Sequence, residues 1–253
     1  MKIAIAINGY KEEKDLELRE HLCLKSLKHL RNKYPKNVSL YNINAHGLKY
    51  KSFRTLHIEC TEKFTKVNHL IDVLHRNSNE DVIVLINNDI IVSDELIKQL
   101  DGHSETYIAS RANIEPIESL SDDLKIVEYS VHGFDLIAVN IDWWSRNRHK
   151  FPDMYIGRQY WDTVYFTILM MNSKCKVLNK LPPVIYHPKH ETVSNVEDSF
   201  DEFNKNVANR CGDLKKWWSY VYNVLLKREN HNETKYWWPF KNETRLERAF
   251  FDD

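Results

Sequence analysis

The sequence predicts a three-layer α/β/α sandwich with a mainly parallel central sheet, followed by a helical C-terminal segment. Apolar runs of strand length alternate with amphipathic helical stretches up to residue 89. This alternation is typical of a parallel sheet covered by helices on both faces. From Val196 onward the strand pattern stops and Trp-rich helical stretches follow. We therefore expect residues 1–192 to form the sheet domain and residues 193–253 to pack on it or to contribute to an acceptor site.

The predicted elements follow one another in chain order. The first predicted strand is enriched in β-branched residues, and the predicted helices carry apolar residues at helical spacing. The sequence predicts strands over 2–7, 38–43, 81–86, 107–110, 134–139, 176–178 and 182–185. It predicts helices over 15–33, 65–75, 93–100 and 161–171.

The composition excludes several classes of protein. Lys+Arg and Asp+Glu balance at 36 each, so the chain has no overall field with which to hold nucleic acid, and no nucleic-acid partner is expected. No stretch reaches the roughly 20 apolar residues of a membrane helix. The 4 cysteines form no Cys-x-x-Cys pair, which favours a cytoplasmic protein over a disulfide scaffold. With only 6 glycines and no Gly-rich phosphate loop, P-loop enzymes and ordinary Rossmann dehydrogenases are excluded.

Polar residues directly follow two of the predicted strands. Asn8-Gly9-Tyr10 comes after the first strand, and Asn87-Asn88-Asp89 comes after the strongly apolar run 81–86. Because ligands of open α/β sheets bind beyond the carboxyl ends of the strands, both stretches are expected at one rim. The Asp89 carboxylate could hold a hard cation beside a phosphate there, although Asn and Asp are also common in ordinary turns.

Three later stretches carry further candidates. His187 and His190 follow a strand-like run, and an imidazole can complete the coordination of Mn²⁺ or Mg²⁺, but two surface histidines would show the same pattern. Asp162 follows Gly157-Arg158 at the start of an apolar helix, where it is either a helix N-terminal carboxylate or a general base. Asp135 lies in an otherwise apolar strand and needs a hydrogen-bonding partner or a ligand.

Together these stretches resemble nucleotide-sugar glycosyltransferases of the GT-A fold. Over residues 1–192 the order matches that family: an opening strand and loop, an Asp-x-Asp-type motif, a Gly-x-Asp segment, a Gly-Arg-x-x-Trp-Asp segment and a late His. The resemblance implies a hexosyl- or pentosyltransferase. Such an enzyme moves a sugar from a nucleotide-diphosphate donor to a hydroxyl of a glycan or lipid-linked acceptor, here with inversion.

The resemblance also implies contacts with the nucleotide. Asn8 and Tyr10 would line the base and ribose pocket. Lys66 and Asn68, on the helix before the central strand, match positions that face the nucleotide.

Donor contacts are further implied at Asn87, Asn88, Arg111 and Arg158, the two arginines reaching the diphosphate or the donor sugar. Asn87 stands where the family has its first Asp, so the metal affinity should be lower than usual.

The metal and the base complete the implied site. Asp89 and His187, with His190 as the rival to His187, would hold a divalent metal, Mn²⁺ or Mg²⁺. Asp162 corresponds to the base that deprotonates the acceptor hydroxyl.

Two alternatives stay open from the sequence. A sugar-nucleotide nucleotidyltransferase shares the α/β core, but it should carry a Gly-rich basic loop, of which Asn8-Gly9-Tyr10-Lys11 is a poor version. A degenerate GT-A domain could be a non-enzymatic carbohydrate-binding module; Asn87 favours this, whereas Asp89, Asp162 and His187 together argue against it.

The C-terminal aromatic residues allow three roles. The pairs Trp217-Trp218 and Trp237-Trp238 could stack on acceptor sugars, contact a membrane peripherally, or pack onto the sheet domain or a second subunit.

Overall fold

The computed structural model describes residues 1–8, 14–44, 47–59, 64–120, 124–178, 182–189 and 199–211. Tyr10, His190 and both Trp pairs lie outside these ranges, so the expectations for them stay predictions. The division at residue 192 also stays a prediction.

The described residues form nine strands and six α-helices. The strands are β1 Ile3–Asn8, β2 Val38–Asn44, β3 Arg54–His57, β4 Val82–Ile86, β5 Ile91–Val92, β6 Thr106–Ile114, β7 Ile126–Asn140, β8 Cys175–Val177 and β9 Ile185–Pro188. The helices are α1 Lys14–Lys33, α2 Val67–Asn77, α3 Glu95–Gln99, α4 Ile141–Asn147, α5 Trp161–Asn172 and α6 Ser199–Arg210.

All nine strands belong to one mixed sheet, in the order β3-β2-β1-β4-β7-β6-β9-β5 with β8 beside β6. The half that contains β1 to β4 is parallel. The strand β7 then enters antiparallel between β4 and β6, and β8 and β9 run parallel to β6. The sheet is therefore mainly parallel, with antiparallel pairs at β7 and at the short edge strand β5.

Helices cover the sheet on both faces, because alternate strand residues point to opposite sides. Ala4 and Ala6 of β1 pack in one cluster with residues of α2, α4, α5 and α6. Ile3, Ile5 and Ile7 of the same strand pack in a second cluster with residues of α1 and α3. The three-layer sandwich predicted from the sequence is confirmed.

The structure extends some predicted elements and adds others. The strand predicted over 134–139 begins at Ile126, and the one predicted over 107–110 continues to Ile114, because the two pair with each other along most of their length. The strand β3 and the helix α4 have no counterpart in the prediction. The helix predicted over 93–100 is shorter, Glu95–Gln99.

Within the described ranges, none of the helices combines the length and the apolar character that crossing a membrane would require.

Candidate functional site

A cleft of about 180 Å³ lies at the carboxyl ends of β1 and β4. Ile7 pairs with Ile86 in the parallel register, which places Asn8 beside Asn87. The rim predicted from the sequence is therefore present in the fold. The cleft is lined by Asn8, Ile86, Asn87, Asn88, Asp89, Ile156 and Gly157.

The Asp89 carboxylate lies against basic side chains that arrive from other elements. Because β5 pairs antiparallel with β9, His187 comes next to the 87–89 turn, and its Nε2 is 3.4 Å from Oδ2 of Asp89. Arg19 of α1 reaches the same oxygen at 3.7 Å. Burial by itself would raise the pKa of Asp89, but His187, Arg19 and Arg111 together lower this pKa below its ordinary value. Asp89 is therefore held as an anion at the rim.

The Asn87 side chain turns toward a buried carboxylate on the neighbouring strand. Its Nδ2 donates to Oδ1 of Asp135 at 2.7 Å, and its backbone N–H donates to the carbonyl oxygen of Asp135 at 3.3 Å. Arg111 donates from Nη1 to Oδ2 of Asp135 at 3.0 Å. Register shifts on both sides of Ser110 mark a bulge in β6, and bulges re-aim neighbouring side chains. Asn87 and Arg111 are therefore the hydrogen-bonding partners that were expected for Asp135.

Asp162 lies in the first turn of α5, as predicted, and is held by two backbone N–H groups. Its Oδ1 accepts from Thr163 at 2.8 Å, and its Oδ2 accepts from Phe134 of β7 at 3.2 Å. Burial raises the pKa of Asp162, and the charge of Asp135 raises it further, whereas the two N–H groups and Arg111 oppose the rise. A carboxylate with a raised pKa is a stronger base, which suits proton abstraction.

The loop before α5 forms the opposite wall of the cleft. Its backbone pairs with the segment before α2, through Val67 N to the oxygen of Met154 at 2.9 Å and Ile156 N to the oxygen of Thr65 at 3.0 Å. Gly157, which lines the cleft, has φ +73°, a left-handed conformation that glycine adopts at little cost. Tyr160 has φ 72°, a strained conformation for this residue type, directly before Trp161.

Lys66 and Asn68 approach the same loop without lining the cleft. Lys66 Nζ lies 3.4 Å from Oδ2 of Asp153, and the Asn68 amide also donates to Asp153. Asn68 has 0% of its surface exposed, so it has no free face for a nucleotide and supports the loop through Asp153.

Arg158 contacts α6, the last helix within the described ranges. Its guanidinium carbon stacks 3.8 Å from the centre of the Phe64 ring, and its Nη1 is 3.6 Å from Oδ2 of Asp201. The contact with Asp201 links α6 to the loop that walls the cleft.

Sequence patterns missed one residue of the site, Arg19, and one coupling between residues that were already candidates. Arg19 is one of many charged residues on a long helix, and nothing in its spacing distinguishes it. The coupling of Asp135 to Asn87 and Arg111 depends on β7 running antiparallel between β4 and β6, which no local pattern encodes.

Comparisons with known structures show the same architecture. The chain matches S. aureus TarS, residues 1–349, in complex with UDP-GlcNAc, with a TM-score of 0.57 and 14% identity; the match covers 90% of this chain and 72% of that one. The same S. aureus protein in complex with UDP matches with a TM-score of 0.52 and 13% identity over the same shares. In the longer S. aureus TarS structure the match covers 37% of that chain, with a TM-score of 0.50 and 12% identity.

These likenesses define the fold. The chain has a mixed α/β fold similar to that of GT-A glycosyltransferases, which confirms the fold that the sequence resemblance implied. No family profile matches the sequence, and no curated protein sequence matches it.

Proposed function

We propose that this protein is a glycosyltransferase that moves a sugar from a nucleotide-diphosphate donor to a hydroxyl of a glycan or lipid-linked acceptor, with inversion. The observation that carries the proposal is the cleft at one sheet rim, which is lined by Asn8, Asn88 and Asp89. Asp162, whose pKa is raised, is not among the lining residues; it is connected to the rim through the Phe134 N–H, next to the Asp135 side chain that holds Asn87. The UDP and UDP-GlcNAc complexes of the S. aureus neighbour support a nucleotide-sugar donor.

Asp89 and His187 are the residues that would hold a divalent metal, Mn²⁺ or Mg²⁺. The Oδ1 atom of Asp89 is buried and has no hydrogen-bond partner among the described residues, so it is available as a hard oxygen ligand. No group of three His, Cys, Asp or Glu side chains suited to a metal occurs in the described ranges. The remaining coordination positions would therefore go to diphosphate oxygens and water. When bound, such an ion supplies Lewis-acid stabilisation of the leaving diphosphate.

The arginines around Asp89 give the donor a positively charged surrounding. Arg19 and Arg111 both act on the Asp89 carboxylate, and guanidinium groups bind phosphate oxygens in a bidentate manner. We propose that Arg111 contacts the diphosphate while it holds Asp135. For Arg158, contact with the donor requires release from Asp201.

Asp162 is proposed to take the acceptor proton. The acceptor oxygen forms a bond to the anomeric carbon, the bond from that carbon to the diphosphate oxygen breaks, and its electron pair leaves with the nucleotide. The proton of the acceptor hydroxyl moves to Asp162. Each carboxylate oxygen of Asp162 accepts one backbone N–H, which leaves a lone pair for the proton. The Phe134 N–H fixes the direction in which Oδ2 of Asp162 faces.

The first test is binding. We expect one of UDP, GDP, dTDP and CMP to raise the melting temperature in the presence of Mn²⁺ or Mg²⁺. At 100 times the dissociation constant the ligand adds about 2.7 kcal/mol to the free energy of unfolding. In Asp89→Ala the nucleotide should raise the melting temperature less than in the wild type. The missing part should match the part that EDTA removes from the wild type. Absence of any shift with all four nucleotides would refute a donor site and would favour the carbohydrate-binding module.

The second test separates the base from the binding site. Asp162→Asn should keep the nucleotide-induced shift and lower turnover about 10²-fold or more. Asp142→Asn is the matched control, because Asp142 holds the same position in the first turn of α4 and is exposed. Normal turnover in Asp162→Asn would remove Asp162 from the role of base.

Release of pyrophosphate from a nucleoside triphosphate and a sugar phosphate would instead indicate the nucleotidyltransferase.

A further inference from the structure

We propose that Asp135 is a positioning residue that couples the 87–89 turn to Asp162, and that Asn87 replaces a carboxylate because it must donate a hydrogen bond to Asp135. This inference rests on the proposed function, since it concerns how the donor site and the base are held together.

Asp135 is clamped from both sides. It is 6% exposed, and one carboxylate oxygen accepts from Asn87 at 2.7 Å while the other accepts from Arg111 at 3.0 Å. Hydrogen bonds to a buried ionised group are short and strong, and losing one donor leaves part of the charge unpaired. The clamp therefore fixes both the Asn87 side chain and the backbone of β7 at residue 135.

The same stretch of β7 holds the base. Phe134, the residue that precedes Asp135 in β7, donates its backbone N–H to Oδ2 of Asp162. The Phe134 ring stacks on Phe166 of α5 with centroids 4.1 Å apart and planes at 4°. A shift of Asp135 would therefore move the Phe134 N–H group, which orients the Asp162 side chain. The stack of the Phe134 and Phe166 rings would resist a matching movement of α5, the helix that carries Asp162.

The clamp explains the identity of Asn87. A carboxylate at this position would face Asp135 at hydrogen-bonding distance, and two such carboxylates cannot both stay ionised at low cost. The amide removes this repulsion and adds a donor. Asn87 thus departs from the Asp-x-Asp pattern because the neighbouring strand β7 already supplies a carboxylate, Asp135, to which it donates.

The clamp also places charges near Asp162. Among the described residues, the charged side chains that shift its pKa are Asp135 of β7, which raises it, and Arg111 of β6, which lowers it. Replacing Asp135 by Asn removes the negative charge and leaves the Arg111 charge less neutralised. Both changes lower the pKa of Asp162, so it becomes a weaker base that is ionised at lower pH.

The experiment compares Asp135→Asn, Asn87→Asp and the double variant in kcat, donor KM and the pH profile of kcat. We expect Asp135→Asn to lower kcat about tenfold or more, since a small misplacement can cost up to 10²-fold. We also expect the acid limb of its profile to move to lower pH. Asn87→Asp alone should be impaired by like charges. The double variant should recover part of kcat, because it restores the hydrogen bond with donor and acceptor exchanged.

The matched control is Asp101→Asn, which also removes a carboxylate that accepts a hydrogen bond from a cation. Nζ of Lys176 donates to Oδ2 of Asp101 at 2.9 Å, and Asp101 precedes the start of β6, away from Arg111. Asp101→Asn should lower the melting temperature and leave kcat and the acid limb unchanged. The coupling is refuted if Asp135→Asn keeps the wild-type kcat and acid limb, or if the double variant is no more active than Asn87→Asp.

A second measurement decides the coupling without turnover. In protein labelled with ¹³C at aspartate carboxyls, the Asp162 signal, assigned with Asp162→Asn, is titrated in the wild type and in Asp135→Asn. A midpoint at lower pH in the variant supports the coupling, and an unchanged midpoint refutes it. If the wild type transfers no sugar, the proposed function fails, while this titration still decides the coupling.

Discussion

The wall of the cleft depends on one buried amide, and Asn204→Ala tests that dependence. Asn204 of α6 is 0% exposed. Its Oδ1 accepts from the backbone N–H of Tyr155 at 2.8 Å, and its Nδ2 donates to the carbonyl oxygens of Tyr155 at 2.9 Å and Gln159 at 3.1 Å. The side chain thus satisfies three backbone groups of the loop that includes Ile156 and Gly157.

The expected loss follows from these three bonds. Each contributes about 1 kcal/mol net to the free energy of unfolding, so Asn204→Ala should cost about 3 kcal/mol. For a chain of this size the melting temperature should then fall by about 6 to 12 °C. Because the loop would also lose part of its attachment to α6, the affinity for the nucleotide should fall together with the stability.

The assay is thermal and urea denaturation, with a nucleotide titration on the folded variant. Asn77→Ala is the matched control: Asn77 is exposed and makes one side-chain hydrogen bond, to the oxygen of Val73 at 2.8 Å, so its change should stay within about 0.5 kcal/mol. If the two variants lose the same stability, α6 does not hold the loop through this amide.

Two further predictions concern stability. Lys176, the His103 N–H and Tyr107 overcome the effect of burial and lower the pKa of Asp101, so Asp101 stabilises the folded state above its ordinary pKa of about 3.9. In pH-dependent denaturation, the stability difference between wild type and Asp101→Asn should shrink as the pH falls below that value, and a difference that grew toward acid would contradict this. Gly157→Ala should cost about 1 kcal/mol through its positive φ alone, because no atom lies within 4 Å of the added methyl group. Gly102→Ala, with φ +72°, should cost about as much when melting is measured, but only Gly157→Ala should weaken nucleotide binding.

The order and burial of the apolar runs are enough to predict the parallel half of the sheet. The runs Ile3–Asn8 and Val82–Ile86 are almost wholly apolar because they are buried on both faces, and Val38–Asn44 is buried along nearly its whole length. Their alternation with helices leaves few topologies. From that topology, the shared rim of Asn8 and Asn87 followed without any coordinates.

The antiparallel half was less accessible to prediction. The strand β7 continues back to Ile126 through Glu128 and Tyr129, and their partners Asn113 and Ala112 on β6 define it as a strand. Pairing between distant segments, and not local propensity, decides such an extension.

Which polar residues act together depends on the strand order of the folded chain. The sequence marked Asn87, Asp135 and Asp162 as separate candidates, each with an ordinary structural explanation. The insertion of β7 beside β4 places the Asp135 carboxylate on the Asn87 amide and the Phe134 N–H on Asp162. Hydrogen bonds act over about 3 Å, whereas these residues are separated by up to 75 positions along the chain. Local sequence patterns therefore supply the elements and their polar ends, and the strand order decides which of these ends meet.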